Sequence, residues 1–210
     1  MLIPPTASPP LPVVAVAVAY SAQPSAKALV VAGIGPLVIS TDLDAAQLAQ
    51  MSRKADQVGK HPPYGFYLGA VAYEIAVDVG GDSQDLCKKP IIIRVTMRLI
   101  DRHIEVAKDM KSDPCRFQKV VAHYRHHTDA DMAVFQRYAL KVSVTLTHLS
   151  ASSVADAYVT NHPRRNIARI AQTMIEPVLR AMDAARDAEP LAVDTPAEVE
   201  ELESACTDHA

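Results

Sequence analysis

The chain has 210 residues, 49% of them hydrophobic, which is enough apolar material for one core with tails. Its formal charge of −3 leaves no net cationic excess for a nucleic-acid backbone to attract, so nucleic acid is not an expected partner. No apolar run reaches the roughly 18 to 20 residues that a membrane-spanning helix needs, so the mature chain is expected to carry no transmembrane segment.

Residues 1–12 contain five prolines, which bars a helix or an inner strand, and 1–28 reads as a proline-rich leader or the remnant of a signal peptide. Within it, LPVVAVAVAYSA (11–22) has the length of an export signal's apolar segment but lacks the positive residues that should precede it. Its Val/Ala alternation reads equally as a strand. KALVVAGIGPLVIS (27–40) then forms one or two short strands broken around Gly33–Pro36. Ser40, Thr41 and Asp42 offer caps for a short helix with Leu43, Ala46, Leu48 and Met51 near helical spacing.

After a turn at HPPYG, the stretch FYLGAVAYEIAVDV alternates as a long strand, and GGDSQD marks the next turn. PIIIRVTMRLID places Ile93, Val95, Met97 and Leu99 on one face with Arg94, Thr96 and Arg98 on the other, and RHIEVAKDM follows. Alternation of this kind suits an antiparallel sheet with one wet face.

From SDPCRFQKVV onward the period becomes helical. Asp113 and Pro114 suit a helix start, and Phe117, Val120, Val121, Tyr124, Ala130, Val134, Phe135 and Tyr138 recur three or four apart. Ser150, Ser152 and Ser153 are expected to end this helix. A second helix is expected over PRRNIARIAQTMIEPVLRAMDAARDA, with Ile167, Ile170, Met174, Val178, Leu179 and Met182 as its stripe and a kink at Pro177. Residues 188–210 are acidic and proline-broken and read as a disordered tail. Strands first and helices afterwards predict one α+β domain over 29–187. In it an antiparallel sheet packs against a long histidine-bearing helix and a C-terminal helix.

The chemistry-bearing residues concentrate at HYRHH. His123 and His127 stand one helical turn apart and can direct ring nitrogens at one metal ion, for which zinc is the expected cofactor. In H-E-x-x-H zinc enzymes the residue after the first histidine is a glutamate that serves as general base toward the metal-bound water. Here that position is Tyr124, and a phenol of ordinary pKa, about 10, cannot take a carboxylate's role. His126 is an alternative ligand, and Asp131 can hydrogen-bond the His127 ring from behind. A third ligand must come from elsewhere, with Glu74, His103, His148 and His162 available. Cys87 and Cys115 are either a disulfide or two reduced thiols, and Cys206 sits in the polar tail.

From about Pro36 to Leu149, the order of these features resembles a family of uncharacterised, predicted secreted bacterial proteins related to zinc peptidases. The residues carrying the resemblance are LCKKPIIIRVTMRLIDRHIEVA, with its cysteine before an Ile/Val-rich strand, and PCRFQKVVAHYRHH, where a second cysteine opens the histidine helix. The resemblance implies a zincin-like fold, export to the periplasm or beyond, a Cys87–Cys115 disulfide, and His123 and His127 as metal ligands. It departs at Tyr124, where the family has glutamate. The expected protein is thus an exported metal-binding or interaction protein with a degenerate peptidase site, its partner a protein or peptide. The rivals are an active zinc peptidase using another carboxylate, Glu74 or Asp131, and a metal-free structural component of the cell envelope.

Overall fold

The computed structural model describes residues 14–18, 26–54, 64–79, 91–149, 154, 157, 161–195, 197, 200 and 206, of which 14–18, 51–54 and 190–192 are described by backbone alone. The first part of the leader, Cys87, the three serines after the histidine helix and most of the tail lie outside them. The elements in chain order are β1 Val14–Val18, β2 Ala26–Ile34, β3 Leu37–Ser40, α1 Ala45–Lys54, β4 Gly65–Val79, β5 Ile91–Val106, a short 3-10 turn Lys108–Ser112, α2 Pro114–Thr147 and α3 Pro163–Val193. This is an α+β chain.

The expected antiparallel sheet is corrected. β1 pairs antiparallel with β2, but β2 and β3 both run parallel to β5, which also pairs with β4. Alternation along β5 reports which face is wet and nothing about the direction of its neighbours. Between β2 and β5 lie α1 and β4, a crossover long enough for parallel pairing.

By its contacts the chain forms two compact units, and β4, β5, α2 and α3 each give residues to both. In the first, residues 26–34 pair with 91–99, and Ile91, Ile93, Val95, Met97 and Leu99 are buried while Arg94 and Arg98 are exposed, as the alternation predicts. Phe135 and Val142 of α2 and Ile167, Ile175 and Met182 of α3 are buried in the same unit. Burial of each such side chain stabilises by about 1.5–3 kcal/mol. α3 runs on through Pro177, which is exposed.

The second unit comprises 35–70, 100–133 and 186–210 and contains the candidate site. Its core is Ile104, Val106, Val120 and Val121, with Leu37, Tyr64, Tyr67, Met110, Phe117 and Tyr124 packed against them. Along β5 the buried positions are odd-numbered from Ile91 to Leu99, and beyond Asp101 they are Arg102, Ile104, Glu105 and Val106. The change falls at Asp101, whose φ of 53° is left-handed, a conformation Asp adopts more readily than most residues. That shift turns Ile104 and Val106 inward toward α2's Val120 and Val121.

Entry into α1 is held from β5. The buried Glu105 carboxylate accepts the backbone N–H groups of Asp42 (2.5 Å) and Leu43 (2.9 Å) and the Ser40 hydroxyl. The cap of α1 is Asp44 rather than residues 40–42. Its Oδ1 accepts the Gln47 N–H at 2.8 Å while Gln47 Oε1 accepts the Asp44 N–H at 2.9 Å, a reciprocal box. At α2, Asp113 caps as expected, accepting the Arg116 N–H at 3.0 Å, with Pro114 as the first helical residue.

Candidate metal centre

The buried face of α2 in the second unit carries Val120, Val121, His123, His127, Thr128 and Asp131. Two imidazoles therefore occupy places on a helix face that is otherwise turned inward. His123 and His127 are 7% and 6% exposed, and their rings meet edge to face with centroids 4.8 Å apart. Their Nε2 atoms lie 3.2 Å from each other. Each also lies against one oxygen of Asp194, His123 Nε2 at 3.1 Å and His127 Nε2 at 3.0 Å from Oδ1.

Asp194 follows the last residue of α3, and its side chain is 45% exposed, so the trio is open to solvent on that side. Burial works to raise the Asp194 carboxyl, but hydrogen bonds from His123 and His127 outweigh it and hold the group well below the usual carboxylate range. It is an anionic group held against two imidazoles. Without an ion, such convergence requires an imidazole N–H to be donated to Oδ1; an ion at the centre takes the place of that proton, so binding and protonation compete.

The donor separations of 3.0–3.2 Å can be compared with coordination geometry. A tetrahedral zinc with bonds of about 2.0–2.1 Å separates its donors by about 3.3–3.4 Å. Cis donors of an octahedral ion, the facial arrangement of two histidines and a carboxylate, stand about 3.0 Å apart at similar bond lengths. The trio could hold a single metal ion.

The residue at the general-base position faces elsewhere. The Tyr124 hydroxyl donates to the Gly65 carbonyl at 2.5 Å, and its ring stacks on His127 with centroids 5.5 Å apart. A Cβ at Gly65 would stand 2.8 Å from Tyr124 Cε2 and collide with the Glu105 carbonyl, so only glycine admits this ring. Burial, reinforced by the Asp194 charge, raises the Tyr124 phenol, which keeps it protonated and unable to accept a proton from water.

Asp131 is a correction. Expected behind His127, its carboxylate instead accepts Arg186 Nε at 2.6 Å, Arg186 Nη2 at 3.2 Å and the Tyr67 hydroxyl at 2.8 Å. Arg186 also donates to the Gly69 carbonyl at 2.7 Å. This clamp joins the end of α3 to α2 and β4 within the second unit, two turns before Asp194. Burial raises the Tyr67 phenol and its bond to Asp131 adds to the effect.

His126 is exposed and outside the trio. Of the other candidate ligands, His103 joins Ser40 and Glu105, and Glu74, His148 and His162 do not belong to the group. Two further residues escaped sequence reasoning. Glu189 feels burial first and then the charges of His127, Asp131 and Asp194, with a net rise in its pKa. Cys206, assigned to a disordered tail, forms a disulfide with Cys115 across a Cα–Cα distance of 6.1 Å. The Cys87–Cys115 pairing is thereby replaced. The signal for Asp194 was slight: one acid directly after an amphipathic helix, 67 residues from His127.

Comparison of the chain with protein-family models, with curated proteins and with solved structures returned no match.

Proposed function

We propose that this protein binds a divalent transition metal, zinc by its donor set, through His123, His127 and Asp194. The helix is zincin-like but lacks the general base, and the role is non-catalytic metal binding or interaction with a protein or peptide outside the cytoplasm. The observation that carries the reading is the convergence of two buried imidazoles and one carboxylate oxygen within 3.0–3.2 Å of one another, beside a tyrosine bonded to backbone. The Cys115–Cys206 disulfide supports an oxidising compartment, and among the described residues no helix is long and apolar enough to cross a membrane.

Metal analysis of untagged protein tests the reading, with competition among zinc, iron(II), cobalt and manganese to identify the ion. About one equivalent is expected, lost in the His123→Ala/His127→Ala variant. No metal in either protein sinks the proposal. Peptide turnover abolished by a chelator would replace a binding role with a hydrolytic one, whereas activity gained only by Tyr124→Glu would mark a degenerate site.

A second reading keeps hydrolysis and is favoured by Glu189 alone. Burial raises its carboxyl, and the charges of His127, Asp131 and Asp194 act on it, while a general base must also stand within hydrogen-bond reach of the water it activates. Glu189→Gln abolishes any chelator-sensitive turnover on that reading and leaves metal content unchanged. Of the two carboxylates expected for that role, Glu74 is exposed and Asp131 is held by Arg186.

A further inference from the structure

Arg102, on the second half of β5, is a buried cation without a matching anion. The residue is 6% exposed. Its Nη1 donates to the Gly35 carbonyl at 3.1 Å, while Nε is fully buried and has no hydrogen-bond partner. Among the described residues no carboxylate pairs with it. A guanidinium keeps its charge at any ordinary pH, and a buried charge without a counter-charge is destabilising.

The two buried carboxylates among the described residues of this unit are committed to other donors. Asp131 accepts two bonds from Arg186 and one from the Tyr67 hydroxyl. Glu105 accepts the Asp42 and Leu43 N–H groups and the Ser40 hydroxyl. Arg102 acts on the Tyr67 phenol, but that hydroxyl gives its only hydrogen to Asp131 and burial keeps the proton on the group, so it brings Arg102 lone pairs and no negative charge. The guanidinium lies close to the surface all the same. The carbonyl that it bonds directly precedes exposed Pro36, and Arg102 itself follows exposed Asp101, at the rung where β3 starts to pair with β5, Leu37 opposite Arg102.

We propose that Arg102 anchors a binding site for a carboxylate, supplied by a free small acid or by the C-terminus of a peptide. A carboxylate oxygen accepts from Nε, the planar guanidinium matches the planar ligand, and one negative charge offsets one cation. A phosphate dianion would turn a buried positive excess into a negative one. The site uses none of His123, His127 and Asp194, so it stands apart from the metal-binding reading.

The test uses the full oxidised chain with a chelator present, which keeps carboxylates off any metal, at an ionic strength held constant with a bulky sulfonate. Acetate is expected to raise the urea midpoint of the parent; at ten times its Kd the folded-to-unfolded ratio rises about elevenfold. Arg102→Met replaces the unpaired cation with an apolar chain, and it should fold at least as well as the parent and lose the response to acetate. A tripeptide with a free C-terminus, set against its amidated form, separates the sources: stabilisation by the free form alone and beyond that of acetate assigns a peptide, and a response to acetate alone assigns a small acid. No response in the parent, an equal response in Arg102→Met, or a stronger response to chloride or phosphate than to acetate overturns the proposal. Should Arg102→Met not fold, the NMR signal of the Arg102 Nε–H group is followed in the parent, assigned through its own side-chain carbons. Acetate is expected to shift that signal, and a signal that acetate leaves in place overturns the site.

Discussion

The clamp between Arg186 and Asp131 offers the most direct check on the second unit. Asp131 lies on α2 with its side chain 8% exposed, Arg186 lies on α3 at 17%, and three hydrogen bonds converge on one carboxylate. Asp131→Asn keeps the volume but removes the charge and turns an N–H toward a donor that now lacks an acceptor. Each hydrogen bond to a charged group contributes about 1.5–3 kcal/mol, and breaking a buried pair from one side costs about 3–5 kcal/mol. Arg186 retains the Gly69 carbonyl and the asparagine retains one acceptor oxygen, so the low end applies. The expected loss is about 3 kcal/mol, or a fall in Tm of about 6–12 °C for a chain of this size. Urea unfolding in the presence of a chelator measures it free of metal linkage. Arg186→Met alone should also destabilise, and the double variant should lose less than the two singles combined, by at least about 1 kcal/mol. A loss below about 1 kcal/mol for Asp131→Asn, or strict additivity, would refute the buried clamp.

Glu105 gives a pH-dependent expectation. Burial works to raise its carboxyl, but bonds from the Ser40 hydroxyl, the Leu43 and Asp42 N–H groups and His103 together lower it. A depressed folded-state value means the stabilisation is fully present above the unfolded value of about 4.3 and is lost as pH falls through the folded value. Glu105→Gln therefore costs about 2 kcal/mol at neutral pH, and the gap closes in acid; an equal gap at both would contradict the assignment. Gly65→Ala forces a Cβ into the Glu105 carbonyl and to 2.8 Å from the Tyr124 ring, and should cost about 2–3 kcal/mol in thermal unfolding, with a neutral result refuting that close approach. Tyr124→Phe loses the bond to the Gly65 carbonyl, about 1 kcal/mol, while zinc stoichiometry stays unchanged; loss of the metal would show that the hydroxyl serves the ion instead.

The elements were legible wherever local periodicity was strong. The alternation of Ile93, Val95, Met97 and Leu99 marks a buried face that the structure reproduces, and the three-to-four spacing after Pro114 marks α2. His123 and His127 could be paired on paper because one helical turn is a local geometry. Asp113 and Pro114 likewise carry their own helix-start chemistry. The cap of α1 was placed too early, since Ser40 and Asp42 are drawn to Glu105, a partner more than 60 positions away.

The amino-acid sequence by itself determined most of the helices and strands, the apolar face of the first half of β5, and that two imidazoles share one side of α2. Tertiary structure alone decided that β2 and β3 lie parallel to β5, that Asp101 shifts the buried face, that Asp131 serves Arg186, and that Cys115 takes Cys206. It also brought Asp194 to the histidines. The physical reason is one of range: side-chain periodicity is set by residues two to four positions apart, whereas the choice among distant carboxylates and thiols depends on how the loops close, and no local pattern encodes that closure.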